Sequence, residues 1–105
     1  MQIAKVCGTV VSTHKSRTLT GVKLLMVQFI DASGNLLSQY EVAGDTVGAG
    51  INEWVLVTRG SSARKEIGHD DRPIDAMVVG IIDTVTVASD LLYSKKDAER
   101  LQGSR

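Results

Sequence analysis

The chain has 105 residues, 43% hydrophobic and 23% charged, which is the composition of one small globular domain rather than of a disordered segment. Basic and acidic residues number 12 each, so the zero net charge argues against a nucleic-acid or anionic-membrane partner. Cys7 is the only cysteine, which excludes an intrachain disulfide. No apolar run reaches the roughly 18 residues of a membrane span, and the first residues lack a signal-peptide core, so we expect a cytoplasmic protein.

Strand signals cover most of the chain. Runs rich in branched residues predict five strands, over Ile3–Ser12, Val22–Ile30, Leu36–Ala43, Glu53–Arg59 and Ala76–Ala88. The turn sequence DASGN joins the second strand to the third as a hairpin. Five strands with turns between them predict an all-β fold, either a small barrel or a sandwich.

The end of the chain differs from the rest. Ser94 and Asp97 have the spacing of a capping box, and Ala98 and Leu101 can form a short apolar stripe. A helix this short is marginal alone and must pack on something. We therefore predict a C-terminal tail that forms at most a short helix.

Two predicted strands have apolar residues on both faces, whereas a strand with one wet face alternates apolar and polar residues. The first such strand carries Val22, Leu24 and Met26 on one face and Leu25, Val27 and Phe29 on the other. The strand over Ala76–Ala88 behaves in the same way. A barrel of this size has one interior, and the tail has few apolar residues to cover a second face. The pattern therefore favours an oligomer.

The glycine-rich segment at Gly48, Ala49 and Gly50 contains half of a dinucleotide-binding fingerprint. That fingerprint needs a helix after the glycines, but the sequence EWVLV that follows predicts a strand. We interpret the segment as a tight turn or a close backbone approach.

The sequence GSSAR places Ser61 and Ser62 next to Arg64, which resembles a nucleophile beside an anion clamp. A serine nucleophile needs a base, and both histidines, His14 and His69, lie in polar loops. We expect a polar loop and no catalytic residue, and we predict no cofactor.

Metal and thiol chemistry are equally poorly supported. The acidic residues near Arg72 lack the spacing of a calcium loop, and the histidines lack that of a zinc site. Cys7 lies in an apolar strand, so we expect a buried and unreactive thiol.

A small five-stranded barrel of the OB type can also bind oligonucleotides or other ligands, which is the alternative function. Tyr40 and Trp54 are the side chains that would stack on bases. The chain has only four aromatic residues and no net positive charge, so the sequence argues against this reading.

Several segments resemble the vertex proteins of bacterial microcompartment shells, the CcmL/EutN family, and in particular those of carboxysomes. The resemblance lies in GTVVST near the start and in LTGVKLLMVQ, YEVAGDTVGAGINEWVLVTRGSSAR and RPIDAMVVGIIDTV. It runs from about residue 1 to about residue 93. We therefore assign residues 1–93 to a vertex-protein barrel domain and residues 94–105 to the tail.

The resemblance implies an OB-like barrel that assembles as a homopentamer and closes a five-fold corner of the carboxysome shell. Implied partners are further copies of the chain, hexameric shell proteins and internal scaffold proteins, with no nucleic acid and no membrane. The implied role is structural, in retaining carbon dioxide for fixation. On the motif positions, Gly48, Ala49, Gly50 and Glu53 become candidates for a subunit contact or the axis loop, and Ser61, Ser62 and Arg64 for polar contacts to a neighbouring subunit or the shell.

Overall fold

The structure is a computed structural model that describes residues 1–11, 21–60 and 74–98. These residues form seven strands and the beginning of a helix at 95–98. The strands are β1 (Gln2–Val10), β2 (Lys23–Ile30), β3 (Leu36–Asp45), β4 (Trp54–Arg59), β5 (Ala76–Ile81), β6 (Thr84–Val87) and β7 (Asp90–Ser94). The prediction of an all-β barrel with a short C-terminal helix is confirmed.

Strands β1 to β5 close a barrel in the order β1-β2-β3-β5-β4, and β6 and β7 form a separate two-stranded sheet. The pairs around the barrel are antiparallel except β3 with β5, which is parallel. This closed order gives β4 the neighbours β1 and β5, so β4 lies across the barrel from the β2–β3 hairpin. Each strand has one face toward the interior and one toward the outside.

The barrel interior is filled by alternate residues of each strand. On β2, the inward residues Leu25, Val27 and Phe29 are almost completely buried, while Leu24 and Met26 point outward and are partly exposed. The core also includes Ala4, Val6, Ala43, Ala49, Val55, Val57, Ala76 and Val78. One interior accounts for one apolar face of β2, and the other face remains on the surface.

The turn between β2 and β3 forms as the sequence predicts. Asp31 Oδ1 accepts hydrogen bonds from the backbone N–H groups of Ser33 at 2.9 Å and Asn35 at 3.0 Å. Gly34 has a φ of 86°, a left-handed conformation that glycine adopts without a steric penalty. The DASGN signal therefore acts through a local side-chain cap and one glycine.

The prediction of one strand over Ala76–Ala88 is wrong. β5 ends at Ile81; the Ile82 N–H still donates to Trp54 O at 2.9 Å on β4, and the chain then leaves the barrel. β6 then pairs with β7 through a turn at Ala88 and Ser89, which have φ values of 51° and 70°. This hairpin could not be predicted from the sequence, because its turn contains no glycine.

The expectation of a buried Cys7 is also wrong, since the residue is exposed. Cys7 shares the outward face of β1 with Lys5, opposite the buried Ala4 and Val6, at a point where the register against β2 shifts. Its Sγ lies 3.3 Å from Met26 O and donates a weak hydrogen bond to it. In the described ranges, no helix has the length and apolar character needed to traverse a bilayer.

Candidate functional site

The residues that follow β3 form a loop over 46–53, here called the glycine loop, and the carboxylate of Asp45 organises its first half. Asp45 Oδ1 accepts from the backbone N–H groups of Val47 at 2.9 Å and Gly48 at 3.1 Å, and Oδ2 accepts from Ala49 at 2.8 Å. Asp45 itself is only 6% exposed. A buried carboxylate needs such donors, and these three fix the path of the chain.

Lys23 on the adjacent β2 strand adds a cation to this cap. Its Nζ lies 3.8 Å from Asp45 Oδ2 and donates to Ala49 O at 3.2 Å. The lysine side chain is half exposed, so solvent screens the ion pair and the main effect is to satisfy the Ala49 carbonyl.

The three predicted residues of the GAG segment have different surroundings. Gly48 has a φ of 83° and open space around it, so its backbone conformation, not crowding within the protomer, favours glycine. Ala49 is 1% exposed and belongs to the barrel core. Val47 and Ile51 on either side are exposed, so the loop is anchored through Ala49 and presents apolar side chains outward.

Glu53 organises the second half of the glycine loop. Its Oε1 accepts from the Gly50 N–H at 2.5 Å, and a Cβ placed on Gly50 would lie only 3.2 Å from that oxygen. Its Oε2 lies 2.9 Å from Lys95 Nζ. Partial burial raises the pKa of Glu53, but hydrogen bonds from Lys95 and the Gly50 amide, with the charges of Lys95 and Lys23, outweigh this and lower the pKa.

The backbone of the loop joins the barrel immediately afterward. The Asn52 N–H donates to Val6 O at 2.8 Å, and the Val6 N–H donates to Glu53 O at 2.9 Å. These bonds extend the β1–β4 ladder into the loop, so the loop moves with the barrel wall.

The C-terminal segment is held against the same wall. The rings of Trp54 and Tyr93 are stacked with centroids 4.3 Å apart and planes 12° from parallel. The Lys95 N–H donates to Asp83 O at 2.7 Å, which positions the first residue of the helix. The ion pair from Lys95 to Glu53 then ties the glycine loop to the tail.

The opposite end of β4 carries a second polar cluster. Arg59 Nη2 lies 3.0 Å from Glu41 Oε2, and its guanidinium lies 5.6 Å from the centroid of the buried Phe29 ring. The Gly60 N–H donates to Asp75 O at 2.8 Å and so joins the end of β4 to the residue before β5. Ser61, Ser62 and Arg64 lie in the segment 61–73, outside the described residues.

Sequence reasoning did not find three contributors to this site: Asp45, Tyr93 and Lys95. An aspartate just before a glycine-containing turn is a recognisable cap signal, so the role of Asp45 could have been predicted from the sequence. Tyr93 and Lys95 meet Trp54 and Glu53 only through the fold, and no local pattern marks them.

The outside of the barrel carries two apolar surfaces. The first, here called the outer ridge, consists of Met26, Tyr40 and Val42 on β2 and β3, which are 39%, 54% and 44% exposed. The second, here called the outer groove, is a depression of about 550 Å³ between the β1–β4 wall and β6. The groove is lined by apolar and polar side chains together: Ile3, Leu56, Ile81, Ile82, Asp83, Thr84, Val85 and Thr86.

The described residues contain no group of three or more His, Cys, Asp or Glu side chains placed to hold a metal ion. The carboxylates of the glycine loop are occupied by backbone N–H groups and lysines. The arrangement is therefore suited to holding a loop in one shape and presenting apolar surfaces.

Comparison with known proteins also indicates a structural role. Residues 1–83 match the family model described as "Ethanolamine utilisation protein EutN/carboxysome". The chain is 71% identical to the carboxysome shell vertex protein CcmL of Synechocystis sp. over 95% of its length and 100% of the relative's. The structure of CcmL from Gloeobacter violaceus superposes with a TM-score of 0.88 at 59% identity, covering 92% of this chain and 100% of that one.

A third relative is the GrpN pentameric microcompartment shell protein from Rhodospirillum rubrum. It is 46% identical, with a TM-score of 0.77, and the match covers 84% of this chain and 100% of that one. These relatives are structural shell proteins and not enzymes. The family match and the identities over nearly the full length show that this chain belongs to the EutN/CcmL family of microcompartment shell proteins.

Proposed function

We propose that the chain is a structural protein of the carboxysome shell that assembles as a homopentamer and occupies a five-fold vertex. The observation that carries the proposal is the 71% identity, over the whole of the relative, to a carboxysome shell vertex protein. The 46% identity to a pentameric microcompartment shell protein supports the stoichiometry.

The surface of the protomer supports self-association on physical grounds. The outer ridge and the outer groove expose apolar side chains that a soluble monomer would leave in water. The chain has no net charge to keep copies apart. A ring with cyclic symmetry buries such surfaces against further copies of the same chain.

A pentamer at each corner completes a shell whose flat faces consist of hexameric shell proteins. Closed corners retain carbon dioxide near the fixing enzyme inside, which is the contribution to carbon fixation. Hexameric shell proteins are then the direct neighbours of the ring, and internal scaffold proteins are further candidate partners.

Within the ring, we assign the glycine loop, with Gly48, Ala49, Gly50 and Glu53, to a subunit contact or to the region around the axis. Five copies of one loop meet closely around a five-fold axis, where glycine's lack of a side chain avoids clashes. The polar residues Ser61, Ser62 and Arg64 contact a neighbouring subunit or the shell. Arg64→Glu should therefore weaken the ring or its docking into shells, and unchanged pentamers and shells would contradict this role.

Two measurements test the whole proposal. Native mass spectrometry should give a species of about five chain masses. Deletion of the gene in its native host should give elongated or unclosed carboxysomes, because the corners cannot close. A monomer that binds single-stranded DNA, together with normal carboxysomes in the deletion strain, would instead favour an OB-like binding module.

A further inference from the structure

We propose that neighbouring protomers meet through two different surfaces, with the outer ridge of one protomer seated in the outer groove of the next. This inference rests on the pentamer proposed above and names its contact. The partner of each surface is a second copy of this chain.

The outer ridge is a continuous apolar strip on the barrel wall. Met26 and Val42 are direct cross-strand partners, and Tyr40 pairs with Gln28 one step along the same ladder on β2 and β3. Because the opposite faces of these strands fill the core, the ridge side chains have no interior left to enter. Their exposure of 39% to 54% is therefore apolar area available to a partner.

The outer groove provides a concave counterpart. Ile3 and Leu56 are cross-strand partners on β1 and β4 and form one side. Leu56 packs over Gly80, where an added Cβ would lie at an ordinary contact distance of 3.5 Å from Leu56 Cδ1. Val85 and Thr86 of β6 form the other side.

The β6–β7 hairpin gives an independent reason for a partner at the groove. In the described part of the chain, β6 and β7 form a two-stranded sheet apart from the barrel. One side of this sheet packs on the barrel through Tyr93 of β7, whose ring stacks on Trp54. Val87 and Leu91 of this hairpin are also exposed. A neighbouring ridge would cover apolar side chains of the hairpin that its own barrel leaves exposed.

The positions of the two surfaces match the symmetry of a ring. The closed order places β4 across the barrel from the β2–β3 hairpin, so the groove and the ridge lie on opposite sides of the protomer. A head-to-tail contact needs two different, complementary surfaces on one chain, whereas a two-fold contact needs one surface that matches itself. This chain carries an exposed apolar ridge and a groove whose lining combines apolar side chains, such as Leu56 and Val85, with the polar side chains of Asp83, Thr84 and Thr86.

Cysteine cross-linking tests this contact directly. Cys7→Ser removes the single native thiol, and Val42→Cys with Thr86→Cys then places one thiol on the ridge and one at the groove. Under mild oxidation, the double-cysteine chain should give a non-reducing ladder from dimer to pentamer, because every chain offers both surfaces. Each single-cysteine chain should give no ladder.

The outcomes separate this proposal from the pentamer on which it rests. A pentamer by native mass spectrometry without a ladder would overturn the ridge–groove contact alone. Dimers from the single Val42→Cys chain would show a two-fold contact and would also overturn it. A monomer without a ladder would overturn both proposals.

A charge-insertion pair gives a second test that does not depend on disulfide geometry. Val42→Arg should block the ridge and Thr86→Arg the groove, so that each variant alone is monomeric while circular dichroism shows a folded barrel. Mixed together, they should form a 1:1 dimer through the one intact ridge and the one intact groove, and no larger ring. Ser33→Arg, in the exposed β2–β3 turn, is the matched control and should remain pentameric. Two folded arginine variants that stay pentameric, or a mixture that does not dimerise, would contradict the contact.

Discussion

Replacing Asp45 by asparagine should isolate the hydrogen bond that fixes Ala49 in the core. Asparagine retains an oxygen in the position of Oδ1, which accepts from Val47 and Gly48. In the position of Oδ2, which lies 2.8 Å from the Ala49 nitrogen in the wild-type protein, asparagine places an NH₂ group. Two hydrogen-bond donors then face each other. A buried donor left without an acceptor costs about 1–3 kcal/mol, which is the expected loss in the free energy of unfolding.

Asp45→Ala should cost more, because all three N–H groups lose their acceptor. The N–H groups of Val47 and Gly48 lie at the surface, where water can accept their hydrogen bonds, whereas Ala49 is buried. We therefore expect a total of about 2–4 kcal/mol, with Ala49 contributing the larger part.

Urea denaturation, followed by the fluorescence of the single tryptophan, measures both variants. With a slope of about 1–2 kcal/mol per molar urea, a loss of about 2 kcal/mol lowers the midpoint by roughly 1–2 M. All proteins must be compared at one chain concentration, since subunit association adds a concentration-dependent contribution to stability.

Asp31→Asn is the matched control for this experiment. Both turn hydrogen bonds of Asp31 use the single oxygen Oδ1, which asparagine also provides. The control should therefore change stability by less than about 0.5 kcal/mol. If Asp45→Asn is equally mild, the cap does not hold the glycine loop as described.

Three further predictions follow from the same contacts. Because the pKa of Glu53 is lower in the folded protein than in the unfolded chain, its stabilising contribution is present at neutral pH and is lost as the pH falls through the folded pKa. The difference in the free energy of unfolding between the wild-type protein and Glu53→Gln, measured by urea denaturation, should therefore shrink on acidification. A difference that does not depend on pH would contradict this role of Glu53. Gly44→Ala places a Cβ 2.5 Å from Sδ of the fully buried Met77 and should lower the free energy of unfolding, measured by thermal denaturation, by about 1–3 kcal/mol. In the control Gly80→Ala, the added Cβ meets only ordinary contacts, so the loss should be small. Equal losses in the two variants would refute the packing argument. Tyr93→Ala should change the fluorescence of Trp54 and cost at least the roughly 0.5–1.5 kcal/mol of an aromatic pair, while Tyr93→Phe should retain the stack; an unchanged Trp54 spectrum in the alanine variant would show that the stack does not form.

The strands of the barrel are predictable because their signals are local. Alternation places Leu25, Val27 and Phe29 on one face of β2, and Asp31 with Gly34 makes the turn that follows. The rejection of a phosphate loop at Gly48 also depended on a local signal, since β4 follows the glycine loop where a nucleotide site needs a helix.

The errors arise where distant residues decide the local conformation. After β5 the chain pairs with β7 instead of β4, and the turn at Ala88 and Ser89 uses left-handed residues where the sequence has no glycine. Cys7 shares the outward face of β1 with Lys5, so its exposure follows from alternation, and the apolar character of the run was the misleading signal. Alternation along one strand contains no information about how that strand is paired, so the β6–β7 pairing was not readable from the sequence.

The glycine loop also indicates which forces hold neighbouring protomers together. Asp45 and Glu53 each have partners within their own protomer, so their carboxylates are occupied before any subunits meet. The loop exposes the apolar side chains of Val47 and Ile51 beside the polar Thr46 and Asn52, and the ridge residues are exposed as well. A loop already fixed by its own chain loses little conformational freedom on association, so more of the free energy of apolar burial would remain to stabilise the proposed ring. In this protomer, charged groups set the shape of the loop, and apolar surface is left to drive the assembly.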